Sequence, residues 1–216
     1  MKKITIIAGH YGVGKTNIAV ALAMELRKEA GKAAIADLDI VNPYFRVADN
    51  ASMLREHDIV ALIPPYANTN VDIPTLPESF RTVFDTDIPS VLDVGGDDDG
   101  AIVLAAYTAE IEACGYDMYC VINMYRPMIA EPAGAAAYLA EMEKSSGLRF
   151  TGLINNSNLG EETTVQTVLD SLPYAEEVSR LTGLPVVMTT ALSRLSPGLD
   201  LVRGIKYIEN TTKQLF

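Results

Sequence analysis

The chain has 216 residues, 49% of them hydrophobic, enough for one domain with a sizeable core. Ordinary charge content without low-complexity stretches excludes a disordered chain. A formal net charge of −11 disfavours a broad nucleic-acid face, and no apolar run reaches the roughly 20 residues of a membrane span.

In chain order, short apolar runs alternate with longer helical patterns. The runs are Ile4–Ala8, Ala33–Ala36, Ile59–Ile63, Ser90–Val94, Met118–Ile122, Thr151–Ile154 and Val186–Met188. Several are nearly continuous in Val, Ile and Leu, as strands buried on both faces of a parallel sheet are. Helical patterns fall at about 15–30, 101–114, 131–146, 163–182 and 199–214. This alternation predicts βαβ units with right-handed crossovers, hence one α/β domain over residues 1–216. Its mostly parallel sheet has about seven strands, with helices on both faces. Residues 64–89 carry five prolines and read as a long loop with one short helix near 77–85. The two N-terminal lysines precede an apolar run too short for a signal peptide, so a cytoplasmic location is expected. Cys114 and Cys120 read as two reduced buried thiols, and the rival is a metal or cluster shared between subunits.

The first run leads into GHYGVGKT, which meets G-x-x-x-x-G-K-T with Gly9, His10, Tyr11, Gly12, Val13, Gly14, Lys15 and Thr16. A strand before this turn and a helix after it make a phosphate cradle: successive backbone N–H groups face an anion and the helix dipole adds to them. Lys15 is suited to β- and γ-phosphates and the Thr16 hydroxyl to Mg²⁺. The expected nucleotide-binding set is Gly9 to Thr16 with the adjoining Asn17. Acidic partners for the metal stand at strand ends, with Asp37 and Asp39 after the second run and Asp93 in the fourth. Asp93 is the Walker B candidate. Asp97, Asp98 and Asp99 suit the start of a helix, and one of them also suits the outer shell of a metal. Arg126, in NMYRP, stands at the same sheet edge, where an arginine can clasp a carboxylate or phosphate; its default reading is a solvated side chain.

GHYGVGKT, ADLDIVNPYFR and LDVGGDDDG together resemble the MinD/ParA/CobQ/CobB group of P-loop ATPases over roughly the first half of the chain. The whole pattern is similar to MinD-like ATP-binding proteins that carry DLDIVNPYFR and a later NNSNLGEET-like stretch. The resemblance implies Lys15 and Thr16 as the P-loop pair, Asp37 near Mg²⁺, Asp39 orienting the attacking water, and Asp93 as Walker B. It implies that Gly96 begins the second switch, and that Asn155 or Asn156 falls where an asparagine contacts adenine. The GTPase signature NKxD is replaced by NNSN, which favours ATP over GTP.

MinD and ParA forms of the loop read KGGxGKT, and their first lysine reaches a partner's phosphates across a dimer. His10 and Tyr11 depart from that pattern. Three roles stay open for His10: a charged replacement once phosphate raises its pKa, a neutral donor to phosphate, or a loop residue without a charge role.

The expected function is a Mg-ATP-dependent switch that converts ATP to ADP and phosphate at a low basal rate. A nucleotide-dependent homodimer and an unidentified protein partner follow from it, without nucleic acid and without stable membrane insertion. The loop carrying DLDIVNPYFR and the 64–89 loop are the expected docking surfaces. The C-terminal apolar pattern packs onto the domain as a helix. The alternatives are an ATP-dependent ligase or kinase of the CobQ/dethiobiotin synthetase type, with Arg126 and the 64–89 loop supplying the substrate pocket, and a non-enzymatic nucleotide-binding module.

Overall fold

The computed structural model describes residues 2–39, 47–63, 78–96, 98–200, 202 and 204–211. The loop expectations at 40–46 and 64–77, the expectation for Asp97, and positions 212–216 lie outside the described residues, as do the side chains of Asp98 and Asp99.

The elements follow in chain order as β1 (Ile4–Ala8), α1 (Lys15–Ala30), β2 (Ala33–Leu38), α2 (Ala51–Glu56), β3 (Ile59–Leu62), α3 (Thr82–Asp85), β4 (Ser90–Val94), α4 (Asp98–Ala105) and α5 (Thr108–Cys114). The second half adds β5 (Tyr116–Ile122), α6 (Pro132–Ser146), β6 (Gly152–Asn155), α7 (Val165–Thr182), β7 (Val186–Leu192), α8 (Ser196–Leu199) and β8 (Ile205–Ile208). The strands form one sheet in the order β3-β2-β4-β1-β5-β6-β7-β8, and every neighbouring pair is parallel. The central strands β1 and β4 are buried at every position, which is why their sequences are apolar runs without alternation.

Local chemistry sets the helix ends. Gly31, Gly147 and Gly183 close α1, α6 and α7 in the left-handed conformation, each with its N–H bonded to the last turn. Thr164 caps α7 in a reciprocal pair with Thr167. Helices α4, α6 and α7 pack side by side, and α1 lies against β2 and β4. One large apolar cluster joins these layers, with Ile4, Ile6, Ile18, Leu92 and Met118 among its fully buried members.

Two expectations change. The single helix expected at 101–114 is two, α4 and α5: the backbone leaves helical geometry at Tyr107, with φ −126° and ψ 16°. The Thr108 hydroxyl sits at the break within 3.2 Å of Leu104 O and Ala105 O and 3.0 Å of Ser146 O, acceptors that share its one hydrogen. The break turns Tyr107 onto Phe80 and Phe84, with ring centroids 5.1 and 5.8 Å away. The helix expected at 199–214 is also wrong. Gly204 adopts φ 79°, and Ile205–Ile208 then pair with Thr189–Leu192 as an eighth strand. The apolar spacing at 199, 202, 205 and 208 fits a helix, but the open edge of β7 offers these residues a ladder instead. Among the described residues, no helix is long and apolar enough to cross a membrane.

Candidate functional site

Strand β1 is flanked by β4 on one side and β5 on the other, so the chain reverses its direction across the sheet there. Parallel α/β sheets bind ligands at such a switch point, beyond the carboxyl ends of the strands. A cleft of about 300 Å³ opens at that edge. Its walls come from the turn after β1, Asp39 after β2, Arg126 after β5, Asn156–Asn158 after β6, Thr190–Leu192 in β7 and Ile208–Asn210 at the end of β8.

The glycine turn is dictated by crowding. A Cβ on Gly9 would stand 2.5 Å from Val121 O, and one on Gly14 would stand 2.4 Å from Asn156 Nδ2. Gly14 also holds φ 90°, the left-handed conformation that starts α1. Lys15 is the first residue of that helix and is buried. Its Nζ donates to His10 O at 3.3 Å, drawing the turn into a ring beneath the cation. Asn156 braces the turn from behind: Nδ2 donates to Val13 O at 2.7 Å, and Oδ1 accepts from the Thr190 hydroxyl at 2.6 Å.

The carboxylates gather next to it. Asp37 on β2 and Asp93 on β4 are paired in register, and both are buried. The Thr16 hydroxyl donates to Asp93 Oδ2 at 2.7 Å. Asp93 Oδ1 is buried and accepts no hydrogen bond from a described residue. Burial pushes the Asp93 carboxyl up to about 7; the Thr16 bond and the Lys15 charge oppose this, and the Asp39 charge adds to it. The Asp39 backbone N–H donates to Asp37 Oδ1 at 3.1 Å, and its half-buried carboxylate faces the cleft beside Gly95.

A hydroxyl and a carboxylate with a spare buried oxygen suit a hard cation that keeps most of its shell as water and phosphate oxygen, which is the habit of Mg²⁺. Among the described residues, no three His, Cys, Asp or Glu side chains converge into a closed metal cage. The raised Asp93 carboxyl has a consequence for stability. Because its folded pKa exceeds its unfolded value, its contribution is complete below about pH 4 and is lost as pH rises through about 7. Thermal unfolding of the metal-free, nucleotide-free protein is expected to show this fall, on the order of a few kcal/mol, and Asp93→Asn to flatten it.

The remaining predicted residues are spread around this centre. His10 packs edge-on to Tyr138 with centroids 5.7 Å apart, and the Tyr138 hydroxyl donates to Gly96 O at 3.3 Å, so the turn and the segment after β4 share one aromatic support. Tyr11 is exposed on the outer lip of the cleft. The Asn17 side chain accepts from Thr211 N at 3.1 Å and donates to Asn210 Oδ1 at 3.1 Å, tying the first turn of α1 to the end of β8. Asn155 stands outside the cleft wall, fully buried. Its Nδ2 donates to the Ser171 hydroxyl at 2.9 Å, and its Oδ1 accepts from the Ser157 hydroxyl at 2.7 Å.

Sequence reasoning missed Ser157, Asn158, Thr190, Leu192 and Ile208–Asn210. The strand-end rule was sufficient to find those after β6, whereas the β8 residues were hidden by the helical reading. Both cysteines are free thiols. Cys120 is fully buried, and burial raises its pKa far above the ordinary thiol range. Lys3 Nζ donates to Cys114 Sγ at 3.7 Å.

Solved structures share this architecture. A nucleotide-binding protein from Archaeoglobus fulgidus, in complex with ADP and with cobalt, matches at a TM-score of 0.55 and 16% identity over 92% of this chain and 87% of that one. The cell division protein FtsY of Thermotoga maritima matches at 0.53 and 15% identity over 87% of this chain. Chloroplast FtsY of Physcomitrella patens matches at 0.53 and 14% identity over 88% of this chain. The chain spans 61% and 58% of those two FtsY chains. No protein-family model matches the sequence, and no curated protein matches it. The likeness defines the class of fold: an α/β P-loop NTPase, with one parallel sheet and its glycine turn after β1.

Proposed function

We propose that residues 1–216 form a single cytoplasmic Mg-ATP-dependent ATPase domain of the MinD/ParA/CobQ/CobB type, acting as a nucleotide-dependent switch for a protein partner. The observation that carries this reading is the bond from Thr16 to buried Asp93 directly beside Lys15 and the glycine turn. Thr16 and Asp93, with Asp37 in register beside Asp93, would hold Mg²⁺, which would supply neutralising charge at the phosphate oxygens. The ADP and metal of the Archaeoglobus protein support the same ligand class.

The nucleotide-binding set is Gly9 to Thr16, with Asn17 and Asn156 in the walls around the nucleoside, while Asn155, fully buried against Ser171, drops out of it. The NNSN stretch at 155–158 lacks the aspartate of NKxD, which supports adenine over guanine. In the reaction, a water molecule attacks the γ-phosphorus in line. Its O–P bond forms as the bond to the β–γ bridging oxygen breaks, and ADP leaves. Lys15 and the backbone N–H groups of the turn stabilise the charge that moves onto the phosphate oxygens. Asp39 accepts a hydrogen bond from the water and orients it. The basal rate is low, because a second copy or a partner completes the positioning.

The test is solution mass with Mg²⁺ and a slowly hydrolysed ATP analogue, against Mg-ADP and nucleotide-free protein. A monomer that becomes a dimer only with the analogue is the expected result. A mass unchanged in all three states overturns the switch, and carboxylic-acid-dependent ATP turnover then becomes the activity to assay.

A further inference from the structure

Arg126 is the cation of the cleft that the function above does not use. It follows β5 and is half-buried, and its guanidinium lies over the glycine turn. A Cβ built on Gly12 would meet Arg126 Nε at 3.6 Å and Cζ at 3.8 Å. The Nε is buried, yet it donates to no described residue, and no described carboxylate pairs with the guanidinium. A buried charged donor without an acceptor is costly.

The backbone around it is held in place. Met124 N donates to the Ser157 hydroxyl at 3.0 Å, and Asn123 Nδ2 donates to Asn158 O at 3.3 Å. Asn123 Oδ1 accepts from Tyr125 N at 2.9 Å, Asn123 O accepts from Arg126 N at 3.1 Å, and the Tyr125 hydroxyl donates to Thr167 O at 2.9 Å. The loop after β5 is thus clamped to the loop after β6 and to α7. Such a clamp suits a group whose position over the turn matters.

We propose that Arg126 is a phosphate-binding residue acting in cis: its guanidinium donates to non-bridging oxygens of the nucleotide's phosphate chain on the Gly12 side of the turn. This rests on the nucleotide reading above. It gives the site a second cationic side chain from the same chain, at a turn whose second position is His10 rather than lysine. The planar fork of an arginine matches phosphate oxygens.

Equilibrium binding of Mg-ADP, the slowly hydrolysed Mg-ATP analogue and adenosine to the full chain tests this, with Arg126→Met and Arg126→Lys beside the wild type. Far-UV circular dichroism establishes that each variant is folded. Arg126→Met is expected to weaken both phosphorylated ligands by about 10- to 100-fold, while adenosine binding stays within about 2-fold. Arg126→Lys is expected to fall between the wild type and Arg126→Met, since a point charge recovers part of the interaction. If Arg126→Met is unfolded, the comparison rests on Arg126→Lys, for which a loss confined to the phosphorylated ligands supports the proposal and wild-type affinity for all three ligands overturns it. Folded variants that bind Mg-ADP and the analogue as tightly as the wild type overturn the proposal and leave the nucleotide reading standing. An equal loss for adenosine also overturns it, because the residue would then serve the base or the fold. A wild-type chain that binds none of the three ligands overturns the nucleotide reading, and the proposal with it.

Discussion

Lys15→Ala is expected to weaken Mg-ATP binding by at least about 100-fold, the cost of losing charge-assisted bonds to phosphate in a partly desolvated cleft. The geometry explains the size. Lys15 is buried at the start of α1, and its Nζ is held at 3.3 Å from the His10 carbonyl. Nothing else described in the turn carries a positive charge in that position. The same substitution removes the ammonium that opposes the upward shift of Asp93, so the nucleotide-free variant is expected to lose stability above neutral pH relative to acid. Calorimetric titration gives the affinity, and thermal unfolding against pH gives the second effect. Binding retained within about 10-fold of the wild type would place the phosphate site away from this turn.

Asp39→Ala is expected to separate binding from chemistry. Its affinity for Mg-ATP stays within about 3-fold of the wild type, while kcat falls by roughly 10²- to 10⁴-fold, the usual worth of a positioned general base or water-orienting carboxylate. The Asp39 backbone N–H donates to Asp37 Oδ1 at 3.1 Å, and alanine keeps that bond. Losing the Asp39 charge also relieves Asp93, whose carboxyl that charge helps to raise. Single-turnover hydrolysis with enzyme in excess separates the chemical step from product release. Full turnover by Asp39→Ala would remove the residue from the mechanism.

Much of this molecule is legible without coordinates. The runs Ile4–Ala8 and Ser90–Val94 coincide with β1 and β4 because strands buried on both faces leave an unbroken apolar signature. The 15–30 helical pattern coincides with α1, since a glycine in the left-handed conformation marks each end. Boundaries drift where pairing rather than composition decides them. β5 begins at Tyr116, not Met118, because Tyr116 pairs with Ile4, and β7 runs on to Leu192 because β8 lies beside it.

The site divides along the same line. Gly9 to Thr16, Asp37, Asp39 and Asp93 stand out in the chain as a glycine-rich turn between an apolar run and a helical pattern, with carboxylates at the ends of apolar runs, the pattern a phosphate site would require. Each of those signals is local, so the sequence alone determines the turn, the strand ends and the parallel α/β class. The tertiary structure alone decided what surrounds the turn. Asn156 braces Val13 while Asn155 turns toward Ser171, a difference between adjacent identical residues that only the end of β6 resolves. Arg126 is drawn over Gly12 by a loop clamped to Ser157 and Asn158, far along the chain. The C-terminal segment became an edge strand that closes the cleft, because the open backbone of β7 outweighed a helical apolar spacing. These outcomes depend on contacts between residues distant in sequence, whose free energies exist only once the sheet has assembled.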